Sequence, residues 1–93
     1  MRFKLCGRYW TLRFAYLRGE TDGRCTSPFE PHKEIVIRRS LKGQAELETL
    51  LHELWHASDW SKDEEWVGLV AEDTARLLYR LGWRRSEPQP AVP

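Results

Sequence analysis

Residues 47–82, "LETLLHELWHASDWSKDEEWVGLVAEDTARLLYRLG", decide the fold. Leu47, Leu50, Leu51, Leu54 and Ser58 recur at helical spacing, which predicts a first helix from about Gln44 to Trp60 with that stripe against a core. At about 100° per residue, His52 and His56 project away from the stripe, beside Thr49 and near Asp59, and Glu53 is expected on the same open side. A second periodic run follows almost at once. Ser61 and Glu64 have the S-x-x-E spacing of a capping box and Gly82 supplies a stop, so a second helix is expected over about 62–81. Its buried stripe is Val67, Val70, Ala71, Thr74, Leu78 and Leu81. Helices joined this tightly must lie antiparallel.

Upstream the period changes. "YWTLRFAYL" (9–17) alternates Trp10, Leu12, Phe14 and Tyr16 with smaller or polar residues, as a half-buried strand does. Phe3 and Leu5 suggest an earlier strand turned at Gly7, and "KEIVIRR" (33–39) gives a short β-branched strand. Between them, "RGETDGRCTSPFEPHK" (18–33) is dense in Gly, Pro, Asp and Ser and reads as a long loop. The expected class is therefore α+β, with an N-terminal sheet followed by two antiparallel helices.

A chain of 93 residues, 41% hydrophobic and 12% aromatic, suits one folded domain, expected over 1–85, with "SEPQPAVP" (86–93) as a mobile Pro-rich tail. No stretch approaches the roughly 20 apolar residues of a membrane span, and the N-terminus has no signal-like apolar run, so a cytoplasmic protein without membrane contact is expected. Cys6 and Cys25 are too few for a disulfide scaffold and read as reduced thiols. The net charge of +1 hides an asymmetry: residues 1–43 carry ten Lys and Arg against four Asp and Glu, and residues 44–93 five against ten. Attraction between two elements of the fold is the expected meaning. A basic surface for nucleic acid is possible but not favoured.

The spacing His52-Glu53-Leu54-Trp55-His56 stacks two imidazoles on one helix face, where both can reach a single ion; neutral imidazole in this geometry favours Zn2+. Glu53 is too constrained to ligate the same ion but is placed to take a proton from water beside it. A catalytic zinc needs a third protein ligand. Asp59 lies on the histidine face but too far along the axis for comfort, and antiparallel packing brings the start of the second helix back to His56. There Glu64 turns toward the buried stripe and Glu65 toward the polar side, which makes Glu64 the preferred third ligand over Glu65 and Asp59. His32, Tyr79 and the arginines are candidate oxyanion donors, and Trp55, Trp60 and Trp66 are expected to seal the core at the helix junction.

"LETLLHELWHA" followed by "DEEWVGLVAEDTARLLYRLG" resembles the zincin metallopeptidases of gluzincin type, most of all the very small zincin-like proteins of bacteria and phages, in which a HExxHA helix precedes a Glu-Glu-x-Val helix. The resemblance covers about residues 34–82. It implies a small twisted sheet packed on an active-site helix, zinc held by His52, His56 and Glu64, and Glu53 as general base. The implied function is a zinc-dependent endopeptidase that hydrolyses a protein or peptide substrate with a metal-activated water, the edge of the "EIVIR" strand aligning the substrate. The alternative is a zinc-stabilised interaction or nucleic-acid-associated module without turnover, for which a fourth protein ligand such as Cys25 or His32 would close the site.

Overall fold

The computed structural model describes residues 1–86. Four strands precede two helices: β1 (Arg2–Leu5), β2 (Arg8–Ala15), β3 (Gly23–Cys25), β4 (Glu34–Arg38), α1 (Gly43–Ser58) and α2 (Glu64–Arg80). This is the α+β arrangement expected, an N-terminal sheet followed by two helices. The tail expected at 86–93 lies, from residue 87 onward, outside the described residues.

The sheet has the order β1-β2-β4-β3, with β2 parallel to β4 and the outer pairs antiparallel. β1 turns into β2 through Cys6 and Gly7, whose positive φ values of 50° and 78° suit the twist of a tight hairpin. Alternation places Trp10, Leu12 and Phe14 of β2 on the same face as Ile35 and Ile37 of β4, their paired neighbours. These side chains are buried against Leu50, Leu54 and Ala57 of α1, each large one contributing about 1.5–3 kcal/mol by leaving water. Tyr16, which continues the alternation in the sequence, lies past the end of β2 and is exposed. The opposite face carries Arg2, Lys4, Tyr9, Arg13, Arg24 and Glu34, with Arg2 and Lys4 set against the Tyr9 ring at 4.6 and 5.7 Å.

β3 was not expected. Its three residues have no hydrophobic alternation; they become a strand because Gly23, Arg24 and Cys25 pair with Ile37, Val36 and Ile35 of β4. The approach to β3 is held by Arg38, whose guanidinium donates to Asp22 Oδ1 at 3.3 Å, to Gly19 O at 2.7 Å and to Thr21 O.

α2 presents Val67, Ala71 and Ala75 to α1, and the two alanines let the helices come close. Ala75 thus joins the expected stripe, while Leu81, the C-cap, is exposed. Gly43 at the start of α1 lies beside Tyr79 near the end of α2, and Glu64 at the start of α2 lies beside His52 and His56, so the helices are antiparallel. The expected capping box does not form. Ser61 spends its backbone N–H and its hydroxyl on Asp59 Oδ1, at 3.0 and 2.5 Å, and the N-cap is Asp63, which accepts from the Trp66 N–H at 2.7 Å. Of the ion pairs among the described residues, Arg13–Glu34, Arg38–Asp22 and those of Arg76 with Glu72 and Asp73 each join residues of the same half of the chain. Among the described residues no helix is long and apolar enough to cross a membrane.

Candidate metal centre and its buried glutamate

His52 and His56 stand one turn apart on α1, and Glu64, the first residue of α2, reaches them across the short connection 59–63. The two Nε2 atoms are 3.2 Å apart. Glu64 spans them, with Oε1 at 2.8 Å from His52 Nε2 and Oε2 at 2.7 Å from His56 Nε2. With one donor atom from each, the three residues lie within 4.8 Å of one another. A tetrahedral ion bound at 2.0–2.1 Å holds its ligand atoms about 3.3 Å apart. The imidazole spacing already fits, and Glu64, whose side chain is 74% exposed, has room to withdraw by the few tenths of an ångström required. Two imidazoles and a carboxylate are a donor set suited to a divalent transition ion.

The capping role that competed for Glu64 has gone to Asp63, which leaves the Glu64 carboxylate to the histidines. Glu65 is not part of the cluster. Asp59 is turned to Ser61, whose hydroxyl and N–H hold the exposed carboxyl below its ordinary pKa. His32 sits on Glu34 at 3.6 Å and is exposed, and the Cys25 thiol donates to Thr26 O at 3.2 Å. Among the described residues neither joins the three-residue cluster. Burial, with the Glu53 charge adding to it, pushes the Cys25 thiol up to about 12 and keeps it protonated. Tyr79 lies beside Gly43, at the far end of the hairpin, where an apolar cavity of about 640 Å³ opens between Leu47, Leu50, Leu78 and Trp83.

Glu53 is not on the open side where the helical wheel puts it. It is 6% exposed, facing the sheet, and its Oε2 has no hydrogen-bond partner. The cause is β3, which closes over α1 at Gly23: a Cβ there would stand 2.7 Å from Thr49 Cγ2 and 3.2 Å from Glu53 Cγ. Burial pushes the Glu53 carboxyl up to about 7, opposed by the attraction of His56 and reinforced by the Glu64 charge. A buried carboxyl without a partner costs about 1–3 kcal/mol or more, and such groups concentrate where they have work to do. One poised near neutral pH can accept and return a proton.

Two clefts flank the cluster. One, of about 440 Å³, is lined by Asp22, Gly23, Glu48, Thr49 and His52, and the other, of about 280 Å³, by Cys25, Trp60 and Lys62; Glu53, His56 and Glu64 line both. Trp60 lies edge-on to His56 at 6.2 Å and Trp55 to Trp66 at 5.4 Å, but Trp60 and Trp66 are 44% and 36% exposed. They wall the helix junction. The tryptophan that seals the core is Trp10. Asp22, Gly23, Glu48 and Lys62 are the site residues that the sequence reading missed. Only Glu48 had a visible signal, four residues before His52 and so on the same helical row.

No protein-family description, no curated protein and no solved structure matches this chain.

Proposed function

We propose that this chain is a minimal zincin-like, zinc-dependent endopeptidase acting on a protein or peptide substrate, with His52, His56 and Glu64 as the metal ligands and Glu53 as general base. The observation that carries the reading is the unpartnered, buried Glu53 beside a His/His/Glu donor set, the two opening together into clefts. Zinc is the ion that this donor set suits best, and when bound it supplies Lewis acidity for a carbonyl and lowers the pKa of water toward about 7. Glu53 takes the proton from the attacking water and returns it to the leaving amine, roles that its buried place beside the donor set suits. His52 and His56 are fixed by one rigid helix, so their spacing does not depend on a loop.

The edge that offers main-chain pairing to a substrate is β3. β4, to which the "EIVIR" edge was assigned, lies between β2 and β3 and has no free edge. β3 is paired on one side only and runs past Glu53, so an extended peptide added there lies over the clefts.

The test is the metal content of purified wild type and His56→Ala. About one zinc per chain, lost in the variant, is expected; no zinc in either after zinc is supplied rejects the proposal. A second reading, association with nucleic acid, draws on Arg2, Lys4, Tyr9 and Arg24 on the outer sheet face. Its signature is binding that weakens steeply with salt.

A further inference from the structure

Glu48, His52 and His56 form one row along α1, and Glu48 lies at the 440 Å³ cleft one turn from the donor set. Each of the other carboxylates lining this cleft has a stated occupation. Asp22 accepts from Arg38, Glu64 spans the histidines and Glu53 is buried beneath β3. Among the described residues Glu48 has no ion pair or hydrogen bond, although it is partly withdrawn from water. No Lys or Arg lines this cleft, while the neighbouring one has Lys62 at its wall. Glu53 Oε2, unpartnered in a side chain more than nine-tenths buried, lines this cleft as well as its neighbour and leaves a polar atom open to a ligand there.

Charge counting assigns the remaining group. In the zinc-loaded protein, Glu64 and Glu53 balance the two charges of the ion, and Arg38 balances Asp22. Glu48 is left over, one helical turn from His52 at the same cleft. We propose that this cleft is a subsite for a cationic side chain, Lys or Arg, next to the bond that is cut, and that Glu48 is the specificity-determining residue. The inference rests on the hydrolase reading above and adds its substrate class. On the opposite flank Lys62 and Trp60 stand beside the shared Glu53, His56 and Glu64, and a basic residue on that side meets the like charge of Lys62 and is disfavoured.

The test uses the zinc-loaded Glu53→Gln protein, so that binding is read without turnover. Capped alanine-based hexapeptides carrying Lys, norleucine or Glu at each position in turn are titrated by calorimetry. The Lys peptide in the favoured register should bind about tenfold more tightly than its norleucine counterpart, as expected of a charge-assisted contact. Adding Glu48→Gln should abolish the difference at unchanged zinc content, and Glu48→Lys should make the Glu peptide the preferred one. Equal binding of the Lys and norleucine peptides, no binding of either, or a preference that survives Glu48→Gln overturns the subsite. Zinc stoichiometry on the same samples separates the two failures. A zinc-loaded protein without the preference sinks the subsite alone, whereas a wild-type chain, measured alongside, that takes up no zinc sinks the hydrolase reading and the subsite with it.

Discussion

Glu34 on the outer face of the sheet and Glu53 in the cleft are both largely withdrawn from water, and their surroundings are opposites. Glu34 accepts two bonds from the Arg13 guanidinium, at 3.1 and 3.3 Å, and this pairing holds its carboxyl below the usual range. Glu53 lies a few residues from two histidines and yet keeps one oxygen without a partner, with its carboxyl pushed up to about 7 by burial. The first arrangement ties β2 to β4. The second contributes nothing to stability that an apolar side chain would not contribute better. A satisfied charge stabilises the fold, while an unsatisfied one, held in place by the packing around it, is kept reactive.

The sharpest way to break this contrast is Glu53→Gln. Turnover should fall by about 10²–10⁴-fold while zinc is retained, measured by peptide cleavage and metal analysis together. Loss of zinc in proportion to activity would show that Glu53 supports the ligands and is not the base. A smaller effect is expected from Gly23→Ala. The added methyl group meets Thr49 and Glu53, so β3 must shift, at a cost of about 1–3 kcal/mol in denaturant unfolding. Shifting β3 admits water to Glu53 and lowers its pKa, which should move the acid limb of the pH–rate profile downward. An unmoved limb would mean that β3 does not set the environment of Glu53.

The outer face gives the mildest test. Arg13→Met should cost about 0.5–1.5 kcal/mol at neutral pH and leave zinc binding untouched. Glu34 has a lowered folded pKa, so its contribution is present above the unfolded value of about 4.3 and is lost as pH falls through the folded one. That acid-side loss should disappear in Arg13→Met, as read from unfolding midpoints between about pH 6 and pH 3. Glu53 has the opposite sign: with a raised folded pKa, its neutral form stabilises the metal-free protein at low pH, and this is lost as pH rises through about 7.

The sequence reveals these two environments unequally. β1, β2 and both helices are legible because each carries a period, of two or of 3.6 residues, β4 because of its β-branched run, and the His52–His56 spacing because a helix fixes it. β3 is not, because Gly23-Arg24-Cys25 becomes a strand only through its pairing with β4. The burial of Glu53 depends on β3, so it was hidden for the same reason. The cap of α2 was misread because Ser61 and Asp63 are both good capping residues, and the choice depended on a bond between Ser61 and Asp59 that no spacing rule contains. Arg13 and Glu34 sit 21 residues apart in the chain and meet through the parallel register of β2 and β4.

The donor set lies within thirteen consecutive residues, 52–64. Closing so short a ring costs little chain entropy, and contacts this local form early in folding. The shielding of Glu53 depends instead on docking β3, a strand within the long 18–33 segment and distant from α1 in the chain, the kind of non-local step that comes late. In the proposed enzyme, capture of the ion and activation of the base are therefore separate events in assembly. On that proposal, the helical hairpin alone would suffice to take up the metal, and hydrolytic capacity would wait for the last edge of the sheet.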